Sequence, residues 1–180
     1  MTGPLVVLVG PPGAGKTTVG HILAARLGAV LRDTDADVEQ SEGVTVQDLF
    51  VTHGEAHFRA LEEKAVAAAL TEHDGVLSLG GGAVLSEATR ALLADHPVVF
   101  LDVGLSGAAS RVGLGAGRPL LLGNVRGQLK ALLDARRPVY TEAADLTIDT
   151  DGRGPDEVAE LIATWLGARQ NRTTQNGEPA

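Results

Sequence analysis

With 180 residues, no cysteine and a formal net charge of −8, the chain is long enough for one hydrophobic core and lacks the basic excess that binding a nucleic-acid backbone requires. Disulfides and thiolate metal sites are excluded outright, which suits a reducing, cytoplasmic setting. Hydrophobic residues at 44% and charged residues at 21% describe an ordinary globular protein, and no apolar run reaches membrane-spanning length, so neither a nucleic acid nor a membrane is an expected partner.

The first apolar run, Leu5-Val6-Val7-Leu8-Val9, reads as a strand. It is broken at Gly10-Pro11-Pro12 and has no basic flank, so it does not read as a signal peptide. Gly10-Pro11-Pro12-Gly13-Ala14-Gly15-Lys16-Thr17-Thr18 then fits the spacing G-x-x-x-x-G-K-[ST]. A helical pattern follows, with Val19, Ile22, Leu23 and Leu27 on one face. Strand, glycine loop and helix are the setting of a phosphate-binding loop. Glycines let backbone N–H groups converge on a phosphate, and the helix beginning near Lys16 adds its positive dipole end. Lys16 is placed to reach the β- and γ-phosphates, and the Thr17 hydroxyl to hold Mg²⁺. The chain reads as a binder of a nucleoside triphosphate.

Val30-Leu31-Arg32 is the next strand candidate, followed by Asp33-Thr34-Asp35. A parallel sheet presents its ligand crevice at such a strand end. Carboxylates there hold a Mg²⁺ hydration shell, bind a hydroxyl or take its proton; equally, they cap the helix that starts near Ala36. The pattern from Glu55, with Phe58, Leu61, Ala65 and Ala68 at helical spacing, reads as the longest helix and carries Arg59. Val76-Leu77-Ser78-Leu79 is a third strand, and Gly80-Gly81-Gly82 directly after it implies close backbone approach to a ligand, or a flexible turn. After a fourth strand, Val98-Val99-Phe100-Leu101, the segment Gly113-Leu114-Gly115-Ala116-Gly117-Arg118-Pro119 suits a mobile lid that carries a guanidinium to a phosphoryl group. Arg136-Arg137-Pro138-Val139-Tyr140 ends a helical pattern, Leu146-Thr147-Ile148 is a fifth strand, and a last helix runs from Asp156 with Val158, Leu161, Ile162, Trp165 and Leu166 inward. The polar tail from Ala168 reads as disordered, which makes residues 1–167 one domain and 168–180 a tail. Strands alternating with helices predict an α/β fold with a parallel sheet.

Taken together, these motifs resemble those of shikimate kinases from Leu5 to about Leu166. The resemblance rests on the glycine loop, Asp33-Thr34-Asp35, Phe58-Arg59 with Glu62, Ser78-Leu79-Gly80-Gly81-Gly82, Arg118-Pro119-Leu120 and Arg137-Pro138-Val139-Tyr140. It implies a P-loop three-layer sandwich with strand order 2-3-1-4-5 and a mobile lid, and transfer of a phosphoryl group from ATP to the 3-hydroxyl of shikimate. By the same resemblance Gly13, Ala14, Gly15, Lys16, Thr17 and Thr18 bind ATP, and Asp35 binds the shikimate hydroxyls and accepts a proton. Asp33 then orders the water shell of Mg²⁺, Arg59 with Arg137 clamps the carboxylate, and Gly80, Gly81 and Gly82 line the acceptor. Arg118 is the lid arginine, with Lys16 and Asp35 the other catalytic residues. Ile148 to Pro155 corresponds to an adenine loop that places Arg153 near the base, with Arg111 on its other face. A monomer is expected.

His21, His53, His57, His73 and His96 are scattered and read as structural or solvent-facing; no pair has metal-ligand spacing with a carboxylate partner. Two other functions stay open at this level. A gluconate or nucleotide kinase of the same architecture shares the loop but needs a different acceptor pocket. A GTP-dependent switch protein needs a guanine-reading N-K-x-D segment, which the chain lacks.

Overall fold

The computed structural model describes residues 3–111 and 124–175. At its centre β1 (Val6–Val9), β2 (Leu31–Asp33), β3 (Val76–Ser78), β4 (Val98–Asp102) and β5 (Leu146–Asp149) form one sheet in the order β2-β3-β1-β4-β5. Every pairing is parallel, as strand–helix alternation requires. β1 is buried on both faces, so its sequence is continuously apolar and not alternating. Val6 and Leu8 join one core with Val19 and Leu23 of α1 (Lys16–Leu27) and with Val158 and Ile162 of α8 (Pro155–Gln175). Val7 and Val9 point the opposite way, to Val66 and Leu70 of α4 (Glu55–Glu72), Leu93 of α5 (Glu87–Leu93) and Tyr140 of α7 (Val125–Ala143). Helices therefore cover both faces, giving the expected three layers.

A smaller annex sits at the β2 edge. There α2 (Thr34–Glu42) and α3 (Val46–His53) pack on α4 around Val38, Leu49 and Phe58. Thr45 Oγ1 accepts the Asp48 N–H at 3.1 Å and caps α3. Gly54, at φ 82°, separates α3 from α4, so His53 and His57 belong to different helices, their rings stacked with centroids 4.9 Å apart. In sequence, α6 (Leu105–Arg111) and α7 flank the segment read as a lid. Arg118 and its neighbouring glycines lie outside the described residues.

The structure corrects several boundaries. β2 runs from Leu31 to Asp33, one residue later than the apolar pattern, and Val30 is 71% exposed. α7 continues through Pro138 to Ala143. A proline inside a helix costs about 3 kcal/mol; against that, Tyr140 is buried on Phe100 with ring centroids 4.9 Å apart. α4, at 18 residues, is thereby shorter than α7 at 19 and α8 at 21. α8 continues past Ala168 to Gln175. Arg169 stacks over Trp165 at 5.5 Å and pairs with Asp145 at 3.4 Å, contacts that composition does not reveal. Leu161, expected inward, is 40% exposed. Among the described residues no helix is long and apolar enough to cross a membrane.

Candidate active site

The strands' C-terminal ends open into a cleft of about 500 Å³, lined by the β1–α1 loop and by Asp33 and Asp35 across from it. Gly13 and Gly15 adopt φ of 81° and 92°, a region closed to most side chains, and this curls the loop toward the first turn of α1. Lys16 Nζ donates to the Gly10 and Pro11 carbonyls at 2.7 and 3.1 Å. Burial lowers its pKa to about 8, aided by the nearby Arg136 charge and resisted by Asp35 and Asp33. Thr17 and Thr18 line the same cleft. Loop, lysine and hydroxyls thus stand together as the sequence motif requires.

Asp33 does two things that sequence reading kept as alternatives. Its Oδ1 accepts the Asp35 N–H at 3.0 Å, capping α2, and it also lines the cleft. The cap turns Asp35 into the first turn of α2, with one carboxylate oxygen buried and without a protein partner. Burial, then the negative charges of Asp33 and Glu62, push the Asp35 pKa up to about 6, with Lys16 opposing. Glu62 Oε1 is likewise buried and unpartnered, and burial raises the pKa of that carboxyl too. Both oxygens lie on the α-carbon of Gly80, where a β-carbon would collide with them.

The glycine turn after β3 is the floor of this half of the cleft. A β-carbon on Gly82 would collide with the Arg59 guanidinium, and one on Gly81 would press on Pro12 of the loop. Arg59 donates to Glu62 Oε2 at 2.6 Å and to Glu55 at 3.2 Å, and it lies over the rings of Phe58 and Phe50 at 5.4 and 5.8 Å. It is a fixed cation, far from a solvated face residue.

The second arginine, Arg137, has different surroundings. Arg137 turns away from the glycine turn and donates through Nε to both Asp102 oxygens at 3.1 Å. Its neighbour Arg136 donates to the Gly81 carbonyl at 3.2 Å, and the Tyr140 hydroxyl donates to the same oxygen. Residues four apart share a helix face, while the next residue is rotated by about 100°. Arg136 and Tyr140 therefore point together, and Arg137 does not. The i, i+4 spacing to the inward Tyr140 is the signal that finds Arg136.

A second, smaller cleft of about 250 Å³ adjoins the loop, with Ala14, Val19 and Pro155 on its walls and Arg111 and Arg153 at its rim. Arg111 donates to the carbonyls of Gly13 and Ala14 at 3.2 and 3.3 Å and to Thr150 Oγ1 at 3.2 Å. Arg153 donates to the Asp149 carbonyl at 3.0 Å and pairs with Glu157. This mostly apolar cleft adjoins the phosphate loop, with Arg111 and Arg153 among its lining residues.

Comparison with known proteins adds an independent line. The family model described as shikimate kinase matches residues 12–167. The chain is 60% identical over 172 residues to a shikimate kinase of Frankia casuarinae, covering 92% of this chain and 76% of that protein. It is 58% identical over 165 residues to one of Salinispora arenicola, covering 92% and 99%. Among solved structures, a shikimate kinase from Acinetobacter baumannii in complex with shikimate superposes with a TM-score of 0.84 at 33% identity, covering 94% of this chain and 95% of that one.

Proposed function

The chain belongs to the shikimate kinase family, and from that premise we infer how the residues of its cleft divide the work. The enzyme transfers the γ-phosphoryl group of ATP to shikimate, giving shikimate 3-phosphate and ADP for aromatic amino-acid biosynthesis. The loop from Gly13 to Thr18 binds the phosphates of ATP, and the slot between Arg111 and Arg153 takes the adenine. Shikimate lies over the glycine turn with its hydroxyls at Asp35 and its carboxylate toward Arg59 and Arg136. The observation that carries this assignment is the unpartnered Asp35 oxygen, held over Gly80 in the cleft that Lys16 shares. A hydroxyl donor satisfies that oxygen, and its raised pKa suits a group that takes a proton near neutrality.

Thr17 and Asp33 fit Mg²⁺ as hard oxygen donors facing the same cleft. So few protein ligands suit an ion that keeps most of its waters and binds phosphate oxygens. When bound, the ion neutralises charge on the β- and γ-phosphates. Lys16 adds a cation to the moving phosphoryl group, Asp35 orients the acceptor hydroxyl in line and takes its proton, and Arg118 supplies a further cation from the 112–123 segment. We place the enzyme in the cytoplasm as a monomer.

Arg136 and Arg137 test the acceptor site most cleanly. Arg136→Ala should raise the KM for shikimate by about 10- to 100-fold, since a hydrogen bond to a charged group contributes roughly 1.5–3 kcal/mol. Arg137→Ala should leave shikimate nearly unaffected, because that side chain is engaged with Asp102. Titration calorimetry with each variant checks this. Loss of shikimate binding in Arg137→Ala, with Arg136→Ala intact, would reverse the assignment.

A pH profile follows from the two shifted groups. Asp35 is active as the carboxylate, so kcat/KM rises with pH through about 6. Lys16 is active as the ammonium, so kcat/KM for ATP falls as pH rises through about 8. The free-enzyme values appear in kcat/KM. In kcat the upper limb moves to higher pH, because bound phosphate stabilises the charged lysine. A kcat/KM for ATP that stays flat well above pH 8 would contradict the role of Lys16.

A further inference from the structure

Thr34 stands between the two aspartates of Asp33-Thr34-Asp35 and has no part in the assignments above. It is fully buried, and its Oγ1 accepts the Gly80 N–H at 3.1 Å. That amide needs a partner for a definite reason. β3 ends at Ser78, and the Leu79 N–H makes a last bond across the sheet to the Leu8 carbonyl at 3.1 Å. Gly80 is the first residue beyond the sheet, in a buried position where an unpaired N–H is destabilising. The Thr34 hydroxyl, from the first residue of α2, satisfies it across 46 residues of sequence.

The consequence is geometric. Gly80 touches Asp35 Oδ1 and Glu62 Oε1, so its position sets the floor beneath both carboxylates. The far side of the turn is held separately, with the Gly81 carbonyl receiving Arg136 and Tyr140 and Gly82 lying against Arg59. Asp35 sits in the first turn of α2, directly after β2, whereas both arginines meet the turn that follows β3. Among the described residues, one side-chain hydrogen bond joins these two halves at the turn: Thr34 to Gly80.

We propose that Thr34 is a positioning residue for phosphoryl transfer, its hydroxyl holding the Gly80 turn in register with Asp35 so that acceptor hydroxyl and acceptor carboxylate are gripped at the correct separation. This rests on the reading of that cleft as the shikimate site. Thr34→Ser keeps the hydroxyl; Thr34→Val keeps the shape and removes it. Thr34→Val should lower kcat/KM for shikimate by about 10- to 100-fold, since small misplacements of reacting groups have effects of that size. The dissociation constant for ATP measured without acceptor should be unchanged, and Thr34→Ser should restore most of the loss. A purely structural role predicts otherwise: Ser and Val variants losing shikimate and ATP affinity together, in step with their melting temperatures. That pattern, or a Thr34→Val enzyme with wild-type shikimate kinetics, would overturn the proposal. Should Val not be accommodated, Thr34→Ala removes the hydroxyl with less bulk and carries the same expectation. If neither hydroxyl-free variant folded while Thr34→Ser did, the hydroxyl would belong to folding and the proposal would fall. Wild-type protein inert toward shikimate would instead sink the reading of the site, before any variant was made.

Discussion

Asp35→Asn should lower kcat by about 10²–10⁴-fold, the range associated with a positioned proton acceptor, with a much smaller change in the dissociation constant for shikimate. The amide keeps the size of the carboxylate and retains one oxygen over Gly80, so hydroxyl binding survives while proton acceptance does not. The low-pH limb of the rate profile, set by a carboxyl pushed up to about 6, should disappear with it. Steady-state kinetics of the folded variant, with shikimate affinity measured separately, gives the answer. An unchanged kcat would make Asp35 a binding residue only, and a loss confined to KM would lead to the same conclusion.

Lys16→Ala should lower kcat by about 10²–10³-fold, the typical effect of deleting one preorganised group that stabilises developing charge. The fold should survive, since the Lys16 ammonium is bonded only to the carbonyls of Gly10 and Pro11 among the described residues and the helix behind it keeps its core contacts. Circular dichroism and melting measurements verify the fold, and single-turnover transfer at saturating ATP reports the chemistry. A well-folded variant with wild-type kcat would remove Lys16 from the transferring phosphate. Removal of a charge held near its titration point should also abolish the high-pH limb of kcat/KM for ATP.

Much of this site was legible before the structure, because its parts are local. The phosphate loop is a short run in which glycine spacing, lysine and hydroxyls all follow from one turn and one helix start. The sheet order came through resemblance, and the strand cores came from continuous apolar runs such as Val6 to Val9, which only a doubly covered sheet produces. What sequence reading missed depends on rotation about an axis or on partners distant in the chain. Arg137 was taken through the resemblance, and a single residue of helix turns a side chain from Gly81 to Asp102. Thr34 was passed over between two carboxylates, since nothing local shows that the Gly80 amide, beyond the end of β3, needs a partner. The continuation of α8 to Gln175 likewise accompanies Arg169 reaching Trp165 and Asp145, and the last of these lies outside α8, between α7 and β5. Arg118 was read from a motif alone and falls outside the described residues.

The measurement closest to the central claim is phosphorus NMR of purified enzyme incubated with ATP, Mg²⁺ and shikimate. A new phosphomonoester signal should grow as the γ-phosphate signal of ATP disappears, one ester per ADP formed, and proton–phosphorus coupling should place it on the 3-hydroxyl. Free phosphate and ADP with no ester, or an ester formed from gluconate or a nucleoside monophosphate and none from shikimate, would contradict the account.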